Sequence, residues 1–132
     1  MTDPIINQLI CGGAGLAGAL VAGHFGTGWF HEFLERSADL GRRSDEKRVP
    51  AWITGGFERL LTFGLVVSDF PGFQNVILAW LAAKLAANWQ RAEPVNSSDS
   101  ERQEYRTRAQ IALMAGVVSI AFAYFGGMIA KA

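Results

Sequence analysis

The chain has 132 residues, half of them hydrophobic and only 18% charged, with 12 basic residues balanced by 12 acidic ones. That composition excludes intrinsic disorder, and the charge balance gives no support to bulk nucleic-acid binding, which rests on a cationic surface. A single cysteine, Cys11, excludes an internal disulfide and a cysteine-based zinc site, and with only His24 and His31 besides, neither a metal nor a cofactor is expected.

Placement of the charges says more than their number. Of the 24 charged side chains, ten fall within 31–48 and eight within 91–108. Only Asp3, Glu58, Arg59, Asp69, Lys84 and Lys131 remain for the rest of the chain. Residues 1–132 therefore read as a single integral membrane domain interrupted by two charged loops.

Between Asp3 and Glu32 there is no Asp, Glu, Lys or Arg, and Leu9 to Phe30 is long enough for a first membrane span. A cleaved signal peptide would carry a basic start, whereas MTDPIINQ has none, so the span is expected to be retained. His31 to Leu40 then reads as an amphipathic extension closed by Gly41. Leu60 to Ala83 holds one charge, Asp69, and fits either one span or a hairpin. In the hairpin, spans 52–68 and 73–89 flank a turn at Asp69-Phe70-Pro71-Gly72, with Pro presetting the turn and Gly accepting positive φ. A solvated connection at 92–99 leads to the last span, 109–130, which lacks ionisable side chains except Tyr124. Ser98-x-x-Glu101 and Ser100-x-x-Gln103 both have capping-box spacing for a helix that starts ahead of it.

Charge asymmetry decides between three and four spans. The 31–52 region carries Arg36, Arg42, Arg43, Lys47 and Arg48, and the 90–108 region carries Arg91, Arg102, Arg106 and Arg108. Cytoplasmic loops are enriched in Lys and Arg, and only an even number of crossings puts both basic regions on one side. The expected fold is all-α: a four-helix transmembrane bundle with amphipathic cytoplasmic helix extensions and both termini outside the cytoplasm. In this the chain resembles small bacterial inner-membrane proteins, with membrane lipids as its surroundings. Trp29, Trp52 and Trp89 would then line the cytoplasmic interface, and Trp80 would lie deeper.

Lipid offers no hydrophobic drive for helix association, so small residues that permit close approach mark packing faces. Ala14, Gly18, Ala22 and Gly26 form such a stripe on the first span, beside Gly15, Ala19, Gly23 and Thr27. Ala79, Ala83 and Ala87 repeat it on the third, and Ala115, Ser119, Ala123 and Gly127 on the fourth. Part of this surface serves packing within one subunit. The excess suggests a homo-oligomer or a subunit of a larger membrane complex.

Ionisable residues inside a membrane are costly and point by default to function. His24, Glu58 with Arg59, and Lys84 fall five or six residues inside their cytoplasmic span ends, roughly 7–9 Å deep at 1.5 Å per residue, and Asn88 is one turn from Lys84. Against this stands a structural reading, in which Lys84 and Arg59 snorkel, Glu58 locks two helices and His24 bonds a carbonyl. Two classes of function fit: a homo-oligomeric channel or transporter for ions or small polar solutes, and an accessory or assembly subunit. A lipid-modifying enzyme has least support, because no nucleophile–base spacing, metal motif or phosphate loop is present.

Overall fold

The structure, a computed structural model, describes residues 4–40, 51–91 and 98–132. Every regular element among them is helical. Helix α1 (Pro4–Ala17) runs through a π-helical turn (Gly18–Ala22) into α2 (Gly23–Ser37), making one continuous rod. Helices α3 (Ala51–Val67), α4 (Phe73–Arg91) and α5 (Asp99–Lys131) follow, giving four rods in all. Two of these, Ile5–Ser37 and Asp99–Lys131, are long and apolar enough to cross a membrane. Each has 33 residues, about 50 Å of helix against a hydrocarbon core of about 30 Å.

Helix ends follow local chemistry. At the start of α5 the Ser98 hydroxyl accepts from the Glu101 amide at 3.4 Å, and the Glu101 carboxylate accepts from the Ser98 amide at 2.8 Å. Of the two possible capping boxes, the first is the one formed. Ser98→Ala is expected to cost about 1 kcal/mol locally, read as faster amide hydrogen exchange over 99–103 with the rest of α5 unchanged.

The first rod ends at Ser37, and the expected cap, Gly41, lies outside the described residues. Asp39 takes the left-handed position with φ 52°, and the Leu40 and Asp39 amides donate back to the Glu35 and Arg36 carbonyls. Aspartate tolerates this conformation better than most non-glycine residues. The same closure ends α3, with Asp69 at φ 49° and the Phe70 and Asp69 amides donating to the Leu65 and Val66 carbonyls. Pro71 and Gly72 then form the corner: Gly72 has φ 80° and the Phe73 amide bonds the Phe70 carbonyl at 3.2 Å, the pattern of a type II turn. Leu60 to Ala83 is thus two helices around a turn and not one span.

Side-chain neighbours set the directions of the rods. A Cβ on Gly15 would meet Gly126 and Ala130, one on Gly26 would meet Phe122, and Glu35 pairs with Arg108, so the first rod runs antiparallel to α5. Gly127 lies against Val66 and Arg59 bonds Ser119, so α3 runs parallel to α5. Tyr124 stacks on Phe73 while Gly116 lies beside Lys84, which makes α4 antiparallel to α5. The directions alternate along the chain. The helix ends that border 41–50 and 92–97 share one end of the molecule. The Pro-Gly corner and the far end of α5 share the other, where Lys131 pairs with Asp69.

Helix α5 is the centre, with the others laid around it. Its buried face comprises Ala109, Ile111, Ala115, Gly116, Ser119, Ala123, Gly126 and Gly127. On the first rod the buried stripe is Gly15, Ala19 and Gly23, whereas Ala14, Gly18 and Ala22 are exposed. A strict four-residue repeat drifts about 40° per step on an α-helix of 3.6 residues per turn. The π-helical turn, with more residues per turn, takes up that drift and keeps the three small residues aligned on α5. Elsewhere the outer surface is apolar to an extent rare in a water-exposed monomer, including Leu9, Phe25, Trp29, Trp52, Leu78 and Phe125.

Candidate functional site: a buried charged layer

Among the described residues, four polar side chains are buried in the centre of the fold: Glu58, Arg59, Thr62 and Ser119, none more than 4% exposed. Thr62 lies one turn beyond both Glu58 and Arg59 on α3, four and three residues on, whereas Glu58 and Arg59, being consecutive, point about 100° apart. Lys84 on α4 donates to Glu58 Oε1 at 2.5 Å, and the Trp80 indole donates to the same oxygen at 3.1 Å. Trp80 precedes Lys84 by four residues, so both project from one face of α4, and Trp80 also packs on Phe57. The ammonium thus points into the protein and not along α4 toward its end.

Arg59 takes a different course. Its Nη1 donates to Ser119 Oγ at 3.1 Å, on the inner face of α5. Glycines make the room for both cations. A Cβ at Gly23 would come within 2.6 Å of Arg59 Cδ, one at Gly55 within 3.3 Å of Nη1, and one at Gly116 within 2.8 Å of Lys84 Nζ. Three helices each leave out a side chain where a cation passes.

Arg59 meets α5 near the middle of its uncharged stretch. Ser119 is ten residues from Ala109 and eleven from Ala130, about 15 Å from either end of that apolar stretch. Of the residues expected to gather here, Glu58, Arg59 and Lys84 do so. His24 is exposed and packs edge-on against Phe25, its ring centroid 5.4 Å away, while the neighbouring Gly23 faces the layer. The side chain of Asn88 lies outside the described residues.

Among the expected packing residues, Ser119 bonds Arg59, Ala123 is fully buried, Gly127 lies under Val66 and Gly26 under the Phe122 ring. Gly18 and Ala22 face outward, as do Ala79, Ala83 and Ala87 on α4. Asp69, at the turn, pairs with Lys131 near the end of α5. Sequence reasoning missed Trp80 and Thr62 as members of the layer, although each lies one turn from a charged residue on its own helix. It also missed Gly23 and Gly116, whose role is visible only once the cations are placed.

A second polar cluster lies toward the other end of the first rod. Arg108 bridges Glu104 at 2.9 Å and Glu35 at 3.3 Å, and His31 lies 3.7 Å from Glu35. It is partly exposed and ties α2 to α5. Among the described residues no group of His, Cys, Asp and Glu has the arrangement of a metal site. Compared with known proteins, the chain matches no family model, no curated protein and no solved structure.

Proposed function

We propose that the chain is a small integral membrane protein of four spans that acts as a homo-oligomeric channel or transporter-like protein for ions or small polar solutes. The observation that carries this reading is the burial of Glu58 and Arg59, with the half-buried Lys84 paired to Glu58, beside the longest uncharged stretch of α5. Charged groups in such surroundings are retained against a large desolvation cost, and in membranes they mark ion and solute pathways. The apolar exterior is then the lipid-facing surface. Helices α3 and α4, with 17 and 19 residues, extend about 25 and 28 Å, close to what a bilayer core requires. The basic loops would face the cytoplasm and the Pro-Gly corner the opposite side, consistent with the alternating helix directions.

Purified protein in liposomes is expected to pass small ions at a rate that falls on Glu58→Gln or Arg59→Met, while variants of the exposed His24 leave it unchanged. Flux no greater than in empty liposomes, with the protein folded and inserted, would contradict the reading.

The alternative is an accessory or assembly subunit of a larger membrane complex. The observation in its favour is the pair of outward small-residue faces, Ala14-Gly18-Ala22 on the first rod and Ala79-Ala83-Ala87 on α4. Such faces let a neighbouring helix approach closely. Gly18 has no other atom within 4 Å of where a Cβ would stand, so Gly18→Leu should leave the subunit's own packing intact. If the first rod is the seam, that variant lowers the mass of the detergent-solubilised particle with no loss of helicity. A native particle holding a second, defined protein would favour the accessory reading; a particle of this chain alone would favour the homo-oligomer.

A further inference from the structure

One polar side chain of the spans is turned the opposite way from the buried layer. Glu58, Arg59, Thr62 and Ser119 face inward and Lys84 reaches in to Glu58, but His24 is exposed on the outer surface of α2. A Cβ on the adjoining Gly23 would stand 3.3 Å from Phe122 Cβ. Phe122 is thirteen residues beyond Ala109 and eight before Ala130, which places His24 about 12 Å or more from either end of that uncharged stretch. An imidazole is too short to reach the headgroups from there, and hydrocarbon offers it no hydrogen bond. Among the described residues nothing bonds the ring either; its neighbour is the Phe25 ring, edge-on with centroids 5.4 Å apart. Ionisable residues within spans almost always face a bundle interior or a water-filled cavity. The outward face of the lone subunit therefore has the character of the inside of an assembly.

A second observation concerns the space beside the ring. Gly28 lies one turn beyond His24 on the same side of α2, is itself exposed, and has nothing within 4 Å of where a Cβ would stand. A bare stretch of backbone next to a polar group lets another helix come close enough to hydrogen-bond across the gap. This face is not the Ala14-Gly18-Ala22 stripe. Ala22 and His24 flank the buried Gly23, each about 100° from it, so they look out from opposite edges of the rod.

We propose that two copies of this chain pair along α2, with His24 of each hydrogen-bonded to His24 of the other. A neutral imidazole carries one donor and one acceptor, so it is complementary to a copy of itself: one ring donates its N–H and the other accepts on its bare nitrogen. Twofold symmetry about the membrane normal brings the two rings to one depth, and twofold pairs are the commonest oligomers. A different protein would have to present a matching polar group at that depth; a second copy does so by symmetry. The site is incomplete in a single subunit. The proposal rests on the four-span, homo-oligomeric reading and deepens it by naming the seam, and it leaves the charged layer inside each subunit as the pathway.

The test begins with the mass of the detergent-solubilised full chain across a dilution series. The parent chain is expected to be a dimer whose dissociation constant rises about tenfold on His24→Leu, the worth of one interhelical hydrogen bond, with helicity unchanged. His24→Gln keeps a donor and an acceptor and should restore most of the affinity, whereas a seam held by shape alone would not tell Gln from Leu. In a chain carrying Cys11→Ala, oxidation in native membranes is expected to link Gly28→Cys into a disulfide dimer and to leave Gly18→Cys unlinked. A dimer indifferent to His24→Leu, a disulfide at Gly18→Cys alone, or a native particle holding a different protein in place of the second copy would each overturn the proposal. Flux in liposomes separates the two readings. A monomeric parent chain that passes ions would remove the pair and keep permeation; a His24-dependent dimer that passes none would keep the pair and remove permeation.

Discussion

Glu58→Gln is expected to be one of the two most damaging single substitutions, lowering stability in micelles by about 3–5 kcal/mol. The reason lies in what it leaves behind. The amide keeps an oxygen for the Trp80 indole, yet Lys84 and Arg59 then sit in the interior with no negative charge near them. The cost comes from the stranded cations and not from the lost bond alone. Lys84→Met should be milder, because the carboxylate retains Trp80 and the adjacent Arg59. Combining Glu58→Gln with Lys84→Met should cost less than the sum of the two, by about 1–3 kcal/mol, since the pair is removed together. Equilibrium unfolding of the four members of that cycle measures it. Strict additivity would show that Glu58 and Lys84 do not interact as the 2.5 Å separation requires.

The second large effect is expected where α1 crosses α5. A Cβ at Gly126 would stand 2.5 Å from the Gly15 carbonyl oxygen and 2.8 Å from Ala19 Cβ, and one at Gly15 would collide with the Gly126 carbonyl in return. The obstacles are backbone carbonyls and an alanine methyl that has no rotamer to change, so the rods must move apart. Gly126→Val should therefore cost about 3 kcal/mol, at the upper end of what overpacking produces. It should also loosen the first rod at this crossing, leaving the Gly26–Phe122 and Glu35–Arg108 contacts to hold its far half on α5. Gly13→Ala is the control: nothing lies within 4 Å of its added methyl, and the effect should stay within about 0.5 kcal/mol. Thermal unfolding of the two variants side by side separates the cases. An equal response would mean that the Gly15–Gly126 approach does not hold the rods together.

Much of this architecture was legible from local chemistry. Pro71-Gly72 marks a turn because proline and glycine each supply a backbone angle that turn needs, and the corner forms there. Ser98-x-x-Glu101 marks a helix start because the two side chains satisfy each other's amides, and they do. The long uncharged runs marked the two 33-residue rods for the same reason: nothing in them opposes an apolar surrounding.

What was not legible depends on rotation about the helix axis. Two small-residue stripes ran side by side on the first rod, and a π-helical turn selected Gly15, Ala19 and Gly23 over Ala14, Gly18 and Ala22. A four-residue repeat in sequence carries no sign of which turn will widen. The same rotation turns Gly23 inward and leaves His24 outside, so adjacent residues part company. The course of the cations is hidden in a related way: Arg59 and Lys84 reach inward across gaps left by Gly23 and Gly116 on other helices. Such gaps are relations between elements, and one-dimensional spacing does not contain them.

The account stands or falls on four crossings that bring Glu58, Arg59 and Lys84 to a common depth within the bilayer. The most direct measurement places a single accessible cysteine, in a chain carrying Cys11→Ala, at each terminus, at Gly72, within 41–50 and within 92–97. Each is labelled in intact vesicles with a membrane-impermeant reagent. Both charged loops are expected to label from the cytoplasmic face, and both termini together with Gly72 from the opposite face. Labelling of the two charged loops from opposite faces would contradict it.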